Sequence, residues 1–219
     1  MNDCQMGITD SVYFYVLIGL ITGFAILYSY KDYFFISNAF KLFYQCVLFS
    51  VFSVISVLLF AVFEQVITGH QIVFGAVSTY GVYLFCPIFI FLIFHKDRKI
   101  VFDLFALYVL PSLFFQRIRC ITNGCCIGKL IGMNDYRWPT RESEMLFYIV
   151  MLLFFIRKKK HKDLKTGEMF PILMIAYGIL RFVEEFFREG NGVIHLAHLW
   201  SILSIIIGYC LYLEFRPHN

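Results

Sequence analysis

Two short stretches of this chain concentrate side chains that can do chemistry. The first runs from Gln116 to Lys129 and holds Arg117, Arg119, Cys120, Asn123, Gly124, Cys125, Cys126 and Gly128. The second is Arg181-Phe182-Val183-Glu184-Glu185-Phe186-Phe187-Arg188. Arg181, Glu185 and Arg188 are spaced four and three apart, which puts them on one helical face. Arginine donates two hydrogen bonds from a planar fork and keeps its charge where the dielectric is low. Several arginines converging on one place therefore make a site for an anion, and phosphate above all. The structural alternative for Arg181 and Glu185 is an ion pair that only locks helices together. Asn123-Gly124 and Gly128 predict a tight, non-helical backbone that can come close to a ligand. The three cysteines leave several readings open. A disulfide needs an oxidising compartment, a nucleophilic thiol is favoured by the nearby Arg117, and a metal site is poorly served by adjacent cysteines with no histidine beside them.

The elements that must hold these stretches are membrane helices. The 219 residues are 60% hydrophobic and 20% aromatic, with 27 Phe and only 16% charged residues. Soluble domains carry about 25% charged residues. The mean hydropathy of +0.74 agrees with an integral membrane chain. A spanning helix needs about 20 mainly apolar residues. Seven runs qualify or come close: Ser11–Tyr30, Phe40–Phe63, Gln71–Phe94, Ile100–Phe115, Met145–Ile156, Phe170–Phe187 and Ile194–Phe215. The fourth is expected to break near its end at Pro111, and the fifth is short. The expected fold is all-α, a polytopic membrane protein of about seven spans, in a single domain over residues 1–219.

Lys and Arg in the short loops set the orientation. Lys31 and Lys41, then Lys96, Arg98 and Lys99, then Arg157 to Lys165 and finally Arg216 all fall on one side of a seven-span chain. That side is read as cytoplasmic, with the N-terminus outside and the C-terminus inside. The basic stretch at Gln116–Lys129 then lies outside, against the rule, which suggests that its charges have a function. Arg137 can equally snorkel to headgroups. The N-terminus is not basic and shows no cleavable signal. Cys46, Cys86 and Cys210 lie in apolar runs and read as small buried residues. In the third span, Gly75-Ala76-Val77-Ser78-Thr79-Tyr80-Gly81 reads as a close helix contact. The alternative is a lipid site whose polar head meets Ser78 and Tyr80.

At these residues the chain resembles the prolipoprotein diacylglyceryl transferase family. The family's Arg-Ile-Gly loop, in a branch carrying Gly-Cys-Cys, is similar to Arg117-Ile118-Arg119 followed by Gly124-Cys125-Cys126-Ile127-Gly128-Lys129. Asp103 and Pro111 resemble the approach to that loop. Of the family's Pro-x-Gln-Leu-Tyr-Glu stretch, Pro139 and Glu144 keep the two ends. Tyr177 to Arg188 matches Tyr-Gly-x-x-Arg-Phe-x-x-Glu-Phe-x-Arg closely. The sequence departs from the family at Phe74, where the family has His, at Arg119 and at Cys120. His70 lies one turn before Phe74, and Tyr13 or Tyr15 stands where the family has a first-helix Tyr-Gly.

The resemblance implies an enzyme of the bacterial plasma (inner) membrane. It would move the diacylglyceryl group of phosphatidylglycerol to the thiol of a lipobox cysteine in an exported prolipoprotein, releasing glycerol phosphate. Arg117 and Arg181 would hold the phosphate, and Glu185 would orient Arg181 or help with the thiol proton. Gly75, Ser78, Tyr80, Asn123, Gly128 and Arg188 would contact substrate. No metal or organic cofactor and no nucleic acid is implied. The alternatives are transfer to another exported peptide, or phospholipid binding without chemistry.

Overall fold

In the computed structural model the chain is a bundle of helices. The structure describes residues 10–34, 38–69, 71–72, 77–94, 97–131, 136–161, 163–188 and 195–216. In order these form α1 (Asp10–Ser29), a short 3₁₀ turn (Lys31–Phe34), α2 (Ala39–Thr68), α3 (Tyr80–Leu84), α4 (Cys86–Ile93), α5 (Arg98–Thr122), α6 (Thr140–Lys160), α7 (Met169–Glu185) and α8 (Leu196–Phe215). Among the described residues there are no strands, only isolated bridges that pair Gly128 with Arg188 and Leu130 with Arg137. The helices α2, α5 and α8 are long and apolar enough to cross a membrane, and Phe14–Ser29 and Tyr80–Ile93 are shorter apolar helices. The outward side of α2 exposes Phe40, Phe43, Tyr44, Val47, Val51 and Val54. A face this apolar fits lipid rather than water.

Helix α5 is the centre of the bundle and packs against α1, α6 and α7. Every residue from Val101 to Pro111 is buried. The expected break at Pro111 does not occur, because α5 continues through it to Thr122. Proline in a helix interior removes one backbone hydrogen bond and costs about 3 kcal/mol in a soluble setting. Here the surrounding helices hold the segment in place. Two glycines let α1 lie directly on α5. A Cβ on Gly19 would come within 2.7 Å of Ser112 Cα, and one on Gly23 within 2.8 Å of the Tyr108 carbonyl. The run through Pro111 places Arg117 and Arg119 on the last turns of a helix, not in a loop.

The third span also differs from expectation. Residues 77–79 are not helical, and the helix is interrupted at Phe85, with Pro87 in the first turn of α4. Gly81 sits against the Ser56 carbonyl and the Val57 backbone of α2. At that glycine the stretch is a close helix contact, as the small residues suggested. Helix α6 begins at Thr140, five residues before the expected start, so it carries Glu144 within it.

The two ends of the bundle have different chemistry. At one end Lys99 donates to the Phe215 carbonyl (2.9 Å), Arg98 pairs with Glu214 (2.8 Å), and Lys159 lies over the Phe34 ring (4.6 Å). Asp103, fully buried in α5, accepts from the backbone N–H groups of Gly167 (2.8 Å) and Met169 (3.0 Å). It thereby satisfies N–H groups at the start of α7 that no helical partner can reach. At the other end lie the last turns of α5 and α7 and the first turns of α6 and α8. The candidate site is there.

Candidate active site

Four buried side chains from three helices form an alternating chain of charge. Arg117 (α5) meets Glu144 (α6) with Nη2 to Oε2 at 2.5 Å, and Arg181 (α7) meets the other oxygen of Glu144 at 2.9 Å. Arg181 also pairs with Glu185 one turn on, at 2.8 Å. Each of these four side chains is at most 6% exposed. Glu185 then faces His195 Nε2 at 3.0 Å and Arg188 at 3.9 Å. Tyr148 donates its hydroxyl to Glu144 at 3.2 Å. A lone charge at this depth would be prohibitive, and the mutual pairing offsets that cost. The helical spacing brings Arg181 and Glu185 together, Arg188 lies past the end of α7 and reaches Glu185 from there, and Arg117 joins them through Glu144. Arg119 is also buried. Two residues on from Arg117, it lies roughly 200° round the helix.

Tyrosines wall the cluster. The Tyr83 and Tyr177 rings stack at 4.0 Å, and the Arg181 guanidinium lies 5.7 Å from the centre of the Tyr80 ring. The Tyr80 hydroxyl donates to the Ala197 carbonyl at 3.0 Å and lies 2.8 Å from Ser201 Oγ, so it points to α8. Ser78 is partly buried, and its backbone N–H donates to the Val57 carbonyl at 3.3 Å. Gly75, Phe74 and His70 lie outside the described residues.

The loop after α5 is sewn onto the end of α7. The helix ends at Asn123, which is exposed, and the chain turns at Gly124 with φ 63°. Lys129 N–H donates to the Phe187 carbonyl (2.7 Å), and Lys129 Nζ donates to that of Phe186 (3.0 Å). Trp138 stacks on Phe187 at 4.1 Å. A Cβ on Gly128 would run into the Trp138 carbonyl, so this position has room only for glycine. Arg137 donates to the Gly128 carbonyl at 3.3 Å, which gives it a place in the loop and not only at a headgroup.

The same loop brings sulfur to the arginines. Arg188 Nη2 lies 3.1 Å from Cys126 Sγ, and Arg117 Nη1 lies 3.9 Å from the Sγ of both Cys120 and Cys126. Hydrogen bonds from the Cys120 and Cys125 thiols hold the Cys126 thiol well below its ordinary range. Arg188 and Arg117 act in the same direction, and partial burial opposes them.

The family model for prolipoprotein diacylglyceryl transferase matches residues 5–214. The chain belongs to the prolipoprotein diacylglyceryl transferase family. It is 34% identical to the phosphatidylglycerol–prolipoprotein diacylglyceryl transferase of Ehrlichia ruminantium (strain Welgevonden), over 66% of this chain and 66% of that protein. It is 30% identical to that of Clostridium tetani, over 63% of this chain and 61% of the relative. The match to the Campylobacter hominis protein covers 93% of this chain and 72% of the relative, at 23% identity. The chain thus spans slightly less than two thirds of the Ehrlichia relative's length. No solved structure matches.

Among members of this family, the present chain carries site residues that its sequence did not single out. Glu144 was visible only as the last residue of a degraded motif, yet it holds both arginines. Glu184 is buried beside Glu185 and accepts from Ser143 Oγ. His195 opens α8 with extended backbone, and its N–H donates to His198 Nδ1 at 3.3 Å. Nothing in its sequence neighbourhood signals that it meets Glu185.

Proposed function

We propose that this chain transfers the diacylglyceryl group of phosphatidylglycerol to the thiol of a lipobox cysteine in an exported prolipoprotein. The observation that carries this reading is the meeting of Arg117 and Arg181, from different helices, on one buried carboxylate at one end of an apolar bundle. A phosphodiester entering there would exchange with Glu144 for the arginine forks. The acceptor thiolate would attack the glyceryl carbon that bears the phosphate. A carbon–sulfur bond forms, the carbon–oxygen bond to phosphate breaks, and glycerol phosphate leaves with the electron pair. Arg117 and Arg181 would stabilise charge on the departing phosphate, which is the largest contribution in catalysis of this kind. The thiol proton needs a base. His195, held by Glu185 at 3.0 Å and only 21% exposed, is suited to take it, with the family's third-helix histidine replaced by Phe74.

In this reading Ser78, Tyr80, Asn123, Gly128 and Arg188 line the way for substrate, with Gly128 keeping the loop close to α7 and Arg188 adding positive charge. The chain forms one domain of about seven spans in the bacterial inner membrane, with the site at the outer face. The segregation of Lys99, Arg98 and Lys159 to the opposite end supports that orientation.

The test uses purified chain in detergent with phosphatidylglycerol and a lipobox peptide, read by mass spectrometry. The expected product is a peptide heavier by one diacylglyceryl group, with glycerol phosphate released. Arg117→Ala and Arg181→Ala are each expected to abolish it while the protein still inserts. Normal transfer by either variant would overturn the assignment. Bound lipid with no product from any acceptor peptide would move the reading to phospholipid binding.

A further inference from the structure

The Sγ atoms of Cys120, Cys125 and Cys126 all lie within 4.8 Å of one another. Cys120 is on the last turn of α5, and the other two follow the Gly124 turn. The turn is closed by Cys125 N–H donating to the Cys120 carbonyl at 3.1 Å. Thr140 Oγ1 donates to the Cys126 carbonyl at 2.7 Å. Cys126 itself has φ 58°, in the left-handed region. That conformation is strained for any residue that carries a Cβ. The surrounding contacts hold it, and the result is that Cys126 Sγ sits 3.1 Å from Arg188 and 3.9 Å from Arg117. Cys126 is partly exposed, whereas Cys120 is buried beneath it. A partly exposed thiol between two fixed cations, with a second thiol in reach, has the features of a reactive cysteine and its resolving partner.

We propose that Cys126 and Cys120 are a reversible dithiol–disulfide pair, a modification site whose co-reactant is a small or protein disulfide. The Cys126 thiolate attacks one sulfur of the incoming disulfide, forms a mixed disulfide and expels one thiolate. Cys120 then gives its proton to the expelled thiolate and attacks Cys126 Sγ, breaking the mixed disulfide and expelling the second thiolate. The two protein thiols lose two electrons, and the co-reactant is reduced to two thiols. Cys125 is the poorer resolving partner for a geometric reason. Neighbouring Cα atoms across a trans peptide are about 3.8 Å apart, whereas disulfides join Cα atoms roughly 4.4–6.8 Å apart. Cys120 comes from a different element and shares Arg117 with Cys126. Closing the pair removes the negative charge that Arg117 and Arg188 face. The inference does not depend on the transfer reaction.

The experiment poises the purified full chain in glutathione buffers of rising oxidised-to-reduced ratio. Remaining thiols are trapped with N-ethylmaleimide, and peptides are mapped by mass spectrometry. The expected result is a Cys120–Cys126 link that appears on oxidation and disappears on reduction, in the wild type and in Cys125→Ala alike. Cys120→Ser is expected to stop at a glutathione mixed disulfide on Cys126. Full alkylation of both thiols at every ratio, or a link through Cys125, would overturn the proposal. So would protection from alkylation that a metal chelator removes, which would make the cluster a metal-thiolate site instead.

Discussion

Replacing Glu144 with Gln removes the charge that joins the two arginines. Glu144 is 2% exposed and reaches Arg117 at 2.5 Å and Arg181 at 2.9 Å. A glutamine can accept from one arginine through its oxygen, but it turns an N–H₂ donor toward the other. Breaking a buried pair on one side costs about 3–5 kcal/mol, because a charge is left without compensation. At roughly 2–4 °C per kcal/mol for a chain of this length, the melting temperature is expected to fall by about 6–20 °C. If the arginines bind phosphate, an anionic phospholipid can take the place of the missing carboxylate. Phosphatidylglycerol should therefore restore stability to Glu144→Gln, and by more than it stabilises the wild type. Phosphatidylcholine should do less, because its choline cation offsets the phosphate. The assay is thermal unfolding in detergent with each lipid in turn. Unchanged melting in the variant would refute the buried bridge. Equal recovery with both lipids would refute the phosphate reading while leaving the bridge intact.

Three further outcomes are expected. Gly128→Ala places a Cβ against the Trp138 carbonyl and should pry the loop from α7; transfer should fall at least tenfold, about 1.4 kcal/mol in barrier, with the protein still inserted, and wild-type activity would sink the account of the loop. Asp103→Ala leaves the Gly167 and Met169 N–H groups without their acceptor; about 1–3 kcal/mol per orphaned donor is expected, read as a lowered melting temperature with no change in lipid preference. In the wild type, alkylation of Cys126 by iodoacetamide, read at that residue by peptide mapping, should change little as pH falls through the ordinary thiol range, because the folded site keeps the proton off. The depressed Cys126 value means that thiolate persists below that range and is lost only at markedly lower pH. A tenfold slowing per pH unit below the ordinary thiol value would show an unperturbed thiol.

Much of the architecture was legible in local pattern. The apolar runs marked the helices, although the third run is split into α3 and α4 and begins only at Tyr80, and α5 runs on past Phe115 to Thr122; Asn123-Gly124 marked the end of α5. The Arg181 and Glu185 spacing marked a single face of α7, whereas Arg188 lies past the helix end, bridged to Gly128. Pro111 misled, because a helix interrupted in isolation is sustained when α1 packs on it through Gly19 and Gly23. That reading stopped the helix at Phe115, just short of Arg117 and Arg119, which lie within α5. The late start assigned to α6 likewise left Glu144 outside any element.

What the amino-acid sequence determined by itself was the solvent, the helices and the two basic stretches. Each follows from composition or from a period of three to four residues. Tertiary structure alone decided which charges meet. Glu144 joins Arg117 to Arg181, Glu185 turns to His195, and Cys126 lies between Arg188 and Arg117. These partners lie on different elements, and most are far apart in the chain; the exceptions are Arg117 with Cys126 and Glu185 with His195. No local spacing encodes their contact; it is set by how α5, α6, α7 and α8 pack, and by the cost of leaving any one of those charges unpaired inside an apolar bundle.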